Sequence, residues 1–328
     1  MRPPEFWKAE VSGRDNVVVL GAILAPVSWV YAWAAARRIK ATMPRHAPIP
    51  VVCVGNFTIG GGGKTPITRA IRAKLGETAH TLSRGYGGQL PGPLRVTPEM
   101  NAHEVGDEPL LHAADGPAWI SRDRVAGALA AANNGAHALV MDDGFQNPTL
   151  AKDLSIVVVD PAYGIGNGKV FPAGPLRERF EEGLARADAI VMLRAPGGEE
   201  IETGNEYLHG FAKPILQARL EATPPPPGKY VAFAGLARPE KFFDTLTALG
   251  VDLEDMAPYP DHHPYHEDNL VFLTRLADER GAKLITTEKD AARLEPEWRA
   301  RVAVLPVTAR FEDEAALEGL LAPIRARM

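Results

Sequence analysis

Val51-Val52-Cys53-Val54-Gly55-Asn56-Phe57-Thr58-Ile59-Gly60-Gly61-Gly62-Gly63-Lys64-Thr65-Pro66 is the stretch whose reading decides the fold. Its valines make the first five residues strand-like, because β-branched side chains fit a pleated ladder. Four glycines follow, then Lys64-Thr65, and from Ile67 to Leu75 the apolar residues recur at helical spacing. Strand, glycine loop, Lys-Thr and helix, in that order, form the setting that a phosphate-binding loop requires. Without Cβ atoms, consecutive backbone N–H groups can converge on one anion, and the following helix turns its positive end toward it. Thr58, Ile59, Gly60, Gly61, Gly62, Gly63, Lys64 and Thr65 are therefore the expected site for the phosphates of ATP. Lys64 would reach the outer phosphates, and the Thr65 hydroxyl would ligate Mg²⁺. The common pattern GxxxxGK(S/T) places a glycine where this chain has Thr58. A glycine-rich turn with no ligand is the bland alternative, and the flanking strand and Lys-Thr pair argue against it.

Outward from this loop, 328 residues favour two domains, each able to bury its own core. A net charge of −5 argues against nucleic acid as the main partner, since a phosphate backbone is bound by a basic surface. The single cysteine, Cys53, excludes a disulfide framework and fits a reducing compartment. The expected class is α/β: a parallel-sheet domain of the P-loop NTPase kind over 41–222, and a second, smaller α/β/α domain over 223–328. Pro224–Pro227 with Gly228 reads as a stiff extended connector between them.

Residues 1–40 form a third segment. Val17 to Ala36 runs for 20 residues without a charge, and Arg37, Arg38 and Lys40 follow. Pro26 divides the run, whose second half is alanine-rich with Trp29, Tyr31 and Trp33. Aromatics beside a basic cluster suit a headgroup region and mark its cytoplasmic side. A membrane-dipping or surface-lying helix is expected, against the alternatives of a buried core helix and a cleaved signal peptide.

Ala138-Leu139-Val140-Met141-Asp142-Asp143 is the second strong signal: a buried strand delivering carboxylates to the edge of a sheet, where Mg²⁺ beside a phosphate loop needs them. Weaker signals surround it. Ser83-Arg84-Gly85-Tyr86-Gly87-Gly88 puts an arginine in a glycine loop, and Arg122 and Arg124 lie before an alanine-rich helix. Such arginines are solvated by default and phosphate clamps if they face a cleft. In Gly106-Asp107-Glu108-Pro109 the acids either cap a helix or supply a base. Phe171 to Glu178 is a proline-stiffened loop that presents Arg177 and Glu178 together. In Tyr259 to His266 three histidines fall within five residues. Pro264 makes a helical metal pair doubtful, and a histidine oriented by Asp261 for proton transfer is the better functional reading.

Taken in order, VGNFTIGGGGKTP, SRGYGG, GDEP, MDDGFQ, FPAGPLRE, FAGLARPEKFF, YPDHHPY and TTEKDAARL resemble the lipid A 4'-kinase family, the tetraacyldisaccharide 4'-kinases. Thr58 fits that resemblance, because the family carries Thr or Ser at this position. Asn147 departs from it, because the family usually has histidine there. The resemblance implies transfer of the γ-phosphoryl group of ATP to the 4'-hydroxyl of a tetraacylated disaccharide 1-phosphate, a lipid A precursor. It implies work at the cytoplasmic face of a bacterial inner membrane, reached by the N-terminal helix, and two α/β/α domains that close over the nucleotide. By motif, Asp107 is the implied base and His262 its partner. Lys64 and Arg177 would neutralise charge; Thr65 with Asp142 or Asp143 would hold Mg²⁺, with Glu178 a further candidate. Arg84 and Arg122 are candidates for substrate phosphates. The chain is expected to act as a monomer.

Two rival readings remain. A GTP-driven switch should carry N/T-K-x-D and D-x-x-G, but Thr287-Glu288-Lys289-Asp290 puts Lys and Asp side by side, and Met141 stands at the required Asp position. A kinase of a soluble sugar would leave Val17–Ala36 as core packing.

Overall fold

The computed structural model describes residues 4–8, 15–60, 63–194 and 206–328. The chain enters through a long helix, α1 (Asp15–Ala41), and reaches the central strand β1 (Val51–Gly55). Then come α2 (Lys64–Leu75), β2 (Ala79–Ser83), β3 (Leu94–Val96), α3 (Ala102–Val105), α4 (Asp107–Asp115) and β4 (Ala118–Ile120). Next are α5 (Arg124–Asn133), β5 (Ala138–Asp142), β6 (Leu154–Val159), α6 (Phe180–Arg186), β7 (Ala189–Arg194) and β8 (Ile215–Ala222). Among the described residues these strands, with a late addition, form one sheet in the order β13-β8-β7-β6-β1-β5-β2-β4-β3. All its pairings are parallel except β3 with β4 and β13 with β8.

Its central strands β1, β5, β6 and β7 are mostly apolar because both faces are covered. Val51, Cys53, Leu139, Met141 and Val157 point to the face that carries Val125, Ala128 and Ala131 of α5. Val52, Val54, Val140, Ile156 and Val158 point to the other, against Ile67, Ile71 and Leu75 of α2. β1 lies between β5, which leads on to β2 and β4, and β6, which leads the other way. The loop after β1 therefore sits at the point where the strand order reverses, the usual place for a ligand crevice in an open α/β sheet.

Pro224–Gly228 carries the chain into a second sheet. It comprises β9 (Lys229–Ala234), β10 (Asp252–Pro258), β11 (Lys283–Thr287) and β12 (Ala303–Leu305), all parallel and ordered β10-β9-β11-β12. One face packs on Phe242, Phe243 and Leu246 of α7 (Glu240–Ala248), the other on Leu270, Leu273 and Ala277 of α8 (Glu267–Arg280). Two short helices, α9 (Glu288–Ala292) and α10 (Pro296–Arg299), link β11 to β12.

Two expectations need correction. The second unit does not run to residue 328. Pro306, which has no N–H for a ladder, ends β12, and β13 (Val307–Phe311) returns to the first sheet as an antiparallel partner of β8. α11 (Glu314–Arg325) then buries Leu317, Leu321 and Ile324 against the α2 face. This return covers the edge of β8 that would otherwise be left open. Pro26, in turn, does not divide α1. It lies on the exposed side of the helix, which runs on past it without a break.

α1 touches the body along one stripe, with Ser28 and Ala32 buried. Ser28 Oγ accepts the N–H of Ala173 at 2.9 Å, Tyr31 meets Phe171 edge-on, and Arg38 donates to the carbonyl of Gln146. Its other side exposes Ile23, Val27, Trp29, Val30 and Trp33, so the helix is not a core helix. Val19–Ala41 is long and apolar enough to cross a membrane, and 17% of its most apolar window is buried.

Candidate active site

β1 ends at Gly55, and the loop beyond it is held from one side by the segment Pro175–Arg177. Ile59 N donates to Pro175 O at 2.8 Å and Arg177 N to Phe57 O at 2.9 Å. The Arg177 side chain turns back over this rail, its Nε donating to Thr58 O at 3.0 Å. Gly60 and Gly63 have φ of +111° and +71°, which only glycine adopts without strain. Gly63 caps α2, so Lys64 and Thr65 open the helix, both buried. Gly61 and Gly62 lie outside the described residues.

β5 pairs with β1 in the register Val54↔Asp142, which sets Asp142 beside the loop. Thr65 Oγ1 donates to Asp142 Oδ2 at 3.1 Å. His112 of α4 donates its Nε2 proton to the same oxygen at 2.8 Å. Burial works against ionisation of Asp142, but the His112 hydrogen bond and the charges of His112 and Lys64 outweigh it and hold the carboxyl below its ordinary range. Its other oxygen, Oδ1, is buried without a hydrogen-bond partner, a costly state for a carboxylate. A hard divalent cation would satisfy it. A hydroxyl plus one carboxylate is also the donor set that Mg²⁺ takes when substrate phosphates and water complete its shell. The residues fit the ion.

Asp143 stands next, with φ +54°. Arg177 binds it with both Nη atoms, at 2.7 and 3.2 Å, and Lys64 Nζ lies 3.7 Å from its Oδ1. Burial again opposes ionisation, and Lys64 and Arg177 again lower the pKa. Asp142 is thus open toward a cation, while Asp143 is engaged by two cationic side chains.

A second cluster, around Asp107, is built from both units. Asp107 begins α4 and is buried. Its Oδ1 accepts the N–H of Glu108 at 2.9 Å. Its Oδ2 meets His262 Nδ1 at 3.2 Å and Arg293 Nε at 3.1 Å. His262, in the turn after β10, has φ +55° and leans edge-on to Tyr86 of the SRGYGG turn. That turn packs on Gly106, where a Cβ would come within 2.4 Å of Tyr86 O. Burial raises the pKa of Asp107, but the His262 hydrogen bond and the Lys289 and Arg293 charges prevail and keep it ionised far below the carboxylate range.

Several expected residues fall elsewhere. Glu178 is buried, but Arg186 Nη2 and Gln146 Nε2 occupy its carboxylate, which is not one of the groups around Thr65. Arg84 is exposed on the turn after β2, and Arg122 donates to Gln89 O at 3.4 Å along that same turn. Asp261 does not orient His262: its closest approach is 3.9 Å, beyond hydrogen-bond length, and Asp107 takes that place. Among the described residues no group of three or more His, Cys, Asp or Glu is placed to hold a metal ion, the three histidines included. Asn147 closes a turn, its Oδ1 accepting from Thr149 N, Thr149 Oγ1 and Leu150 N.

Two residues escaped the sequence reading. His112 follows Asp107 by five positions on the inward face of α4. Arg293 is the penultimate residue of TTEKDAARL. Arg124, read from sequence as a possible phosphate clamp, is buried behind the Ser121 carbonyl to which it donates and keeps its Nε without a partner. Only the burial of one helix face could have pointed to His112 from sequence.

A family model described as tetraacyldisaccharide-1-P 4'-kinase matches residues 20–325. The tetraacyldisaccharide 4'-kinase of Hyphomonas neptunium is 47% identical, over 100% of this chain and 99% of that one. That of Maricaulis maris is 50% identical, over 98% and 96%. Among solved structures, LpxK from Aquifex aeolicus in complex with ATP superposes with a TM-score of 0.76 at 28% identity, covering 93% of this chain and 99% of its own.

Proposed function

The chain belongs to the tetraacyldisaccharide-1-P 4'-kinase family, and from that premise we propose how its cleft divides the work of phosphoryl transfer. The protein is a phosphotransferase of lipid A biosynthesis that takes its phosphoryl group from ATP. Such transfer consists mostly of positioning and charge neutralisation. On the donor side the loop from Thr58 to Thr65 cradles the phosphates, and Lys64 and Arg177 set positive charge against them. Thr65 and Asp142 hold Mg²⁺, which supplies neutralising charge at the phosphate oxygens when bound. Asp143 keeps Lys64 and Arg177 in place and is the second candidate ligand. On the acceptor side Asp107, with His262 beside it, takes the proton of the 4'-hydroxyl. Arg84, exposed on the turn that carries Tyr86, and Arg122, which reaches the end of that turn at Gln89 O, are the proposed partners of the lipid substrate's phosphate.

One observation carries this reading. α4 bears Asp107 at its first turn and His112 further along, the latter on Asp142 at 2.8 Å, so a single short helix ties the proton-accepting carboxylate to the metal-binding one. α1 gives the lipid acceptor a route: its exposed Trp29 and Trp33, followed by Arg37, Arg38 and Lys40, suit the cytoplasmic surface of an inner membrane. The protein works there as a monomer.

Radiolabelled transfer from ATP to tetraacyl disaccharide 1-phosphate in detergent micelles tests the site, with Mg²⁺ titrated. Asp142→Asn raises the Mg²⁺ requirement steeply; an unaltered titration would remove Asp142 from the metal site. Deleting residues 1–40 moves the protein from membrane to soluble fractions, and an unchanged distribution would end the membrane role of α1.

A further inference from the structure

Arg293, just beyond α9, is 7% exposed at its side chain and spans the two units. Nε and Nη2 face Asp107 Oδ2, and Nη1 donates to Gly235 O at 3.0 Å and to Asp290 Oδ1 at 2.8 Å. Asp290, fully buried, is held in turn. Its Oδ1 also accepts from Gly235 N at 2.9 Å and Tyr265 Oη at 2.8 Å, and its Oδ2 from Thr287 Oγ1 at 2.6 Å. The guanidinium is thus fixed from behind by the second unit, with one edge presented to the first. Glu108 N and the Arg293 fork constrain the two oxygens of Asp107 from opposite sides, leaving the carboxylate one orientation toward His262 Nδ1. A planar fork makes these bonds together; an ammonium group does not.

We propose that Arg293 is a positioning residue, which fixes the Asp107 carboxylate against His262 so that the proton-accepting couple is complete only when α9 is packed on α4. This rests on the reading of Asp107 and His262 as that couple. His262 and Arg293 both belong to the second unit and Asp107 to the first. Separation of the two therefore removes the histidine and the clamp at once, and ATP bound without closure meets an incomplete acceptor site.

Steady-state transfer by Arg293→Ala and Arg293→Lys, each alone and combined with Asp107→Ala, tests this. Misorientation of a catalytic group costs on the order of 10²-fold, so Arg293→Ala lowers kcat by about that factor. The KM for ATP stays within about twofold, because the lost interaction serves the transfer step and not nucleotide binding. Arg293→Lys, which keeps the charge, also loses most of its turnover. In the Asp107→Ala background neither substitution costs anything further. The acid limb of the kcat profile moves to higher pH in Arg293→Ala. The charged groups that face Asp107 are Arg293 and Lys289 from the α9 segment, His262 from the turn after β10 and Glu108 from its own helix, and one cation has been removed. Wild-type kcat in both single variants overturns the proposal. So does a loss that is additive with Asp107→Ala, or one in which ATP affinity and melting temperature fall together while the acid limb stays in place. If Asp107→Ala itself keeps wild-type turnover, the couple falls and this inference falls with it, a result that is recognisable without the Arg293 variants.

Discussion

On the proposed donor side of the cleft, Asp142 and Asp143 stand at the end of β5, which runs in register with β1, and Lys64 and Thr65 open α2 beyond the loop that follows β1. On the acceptor side, Asp107 comes from the first unit while His262 and Arg293 come from the second, and ion pairs join them. The first arrangement is fixed by the core of a sheet buried on both faces. The second is fixed by the packing of α9 on α4 and by the pairs Arg69–Glu288 and Lys289–Glu108 around it. Under the proposed function such a division separates nucleotide binding, which needs one unit, from transfer, which needs both: a preformed donor half and an assembled acceptor half.

The largest expected effect tests the donor half. Lys64→Ala removes the buried cation aimed at the phosphates and lowers transfer by about 10³-fold, the scale of one preorganised charge in a dry site. Nucleotide binding weakens with it. If binding is unchanged while transfer is lost, the donor half is not where ATP is held. Asp107→Ala, on the acceptor half, lowers turnover by about 10²-fold or more while ATP affinity is preserved. Normal turnover in that variant would leave the assembled half without a base. His112→Ala touches both halves through α4. Loss of such a carboxylate–histidine contact costs metal affinity about tenfold to a hundredfold, read as a rise in the Mg²⁺ needed for half-maximal activity. An unmoved Mg²⁺ titration would make His112 a packing residue only.

Legibility in the sequence follows the same division. The phosphate loop and its acids were readable because each is contiguous: valines, glycines and Lys-Thr in one stretch, an apolar run ending in two aspartates in the other. Strand register brought them together, and register follows from burial on both faces. His112 was hidden because its partner lies 30 positions away, and one histidine among the leucines and alanines of a helix reads as core. Arg293 was hidden because the docking of two units gives it meaning. The return of β13 to the first sheet hung on Pro306 alone, a one-residue break within what reads as a single strand from Val302 to Val307. Glu178 shows the limit of adjacency: it stands next to Arg177 in sequence, yet Arg186, eight residues further on, and Gln146 are the partners of its carboxylate.

Acidity separates the halves more gently. Asp107 ionises in the folded protein at lower pH than the ordinary carboxylate value of about 3.9. Its contribution to stability is therefore complete above about pH 5 and is lost as pH falls below the carboxylate range. Melting temperature should fall on the acid side, and Asp107→Asn should flatten that fall by about one to two degrees for each kcal/mol that the group contributes in a chain this long. An equal slope in wild type and variant would place the acid sensitivity in other carboxylates.

The smallest effect is expected at the rim of the docking surface, and there the idea of an assembled half is easiest to break. Lys289 Nζ lies 2.6 Å from Glu108 Oε1, with both side chains about one quarter exposed. A pair open to solvent loses most of its Coulomb energy to screening and side-chain entropy, and is worth about 0.2–1 kcal/mol. Lys289→Met with Glu108→Gln should therefore show a coupling within that range and a fall in kcat of less than about fivefold. Arg293, deeper in the same surface, binds Asp107, the proposed base, and should cost far more. Equal losses at Lys289 and Arg293 would mean that adhesion between the units limits transfer and that the orientation of Asp107 does not. A large gap between them would locate the control of the acceptor half in one guanidinium group.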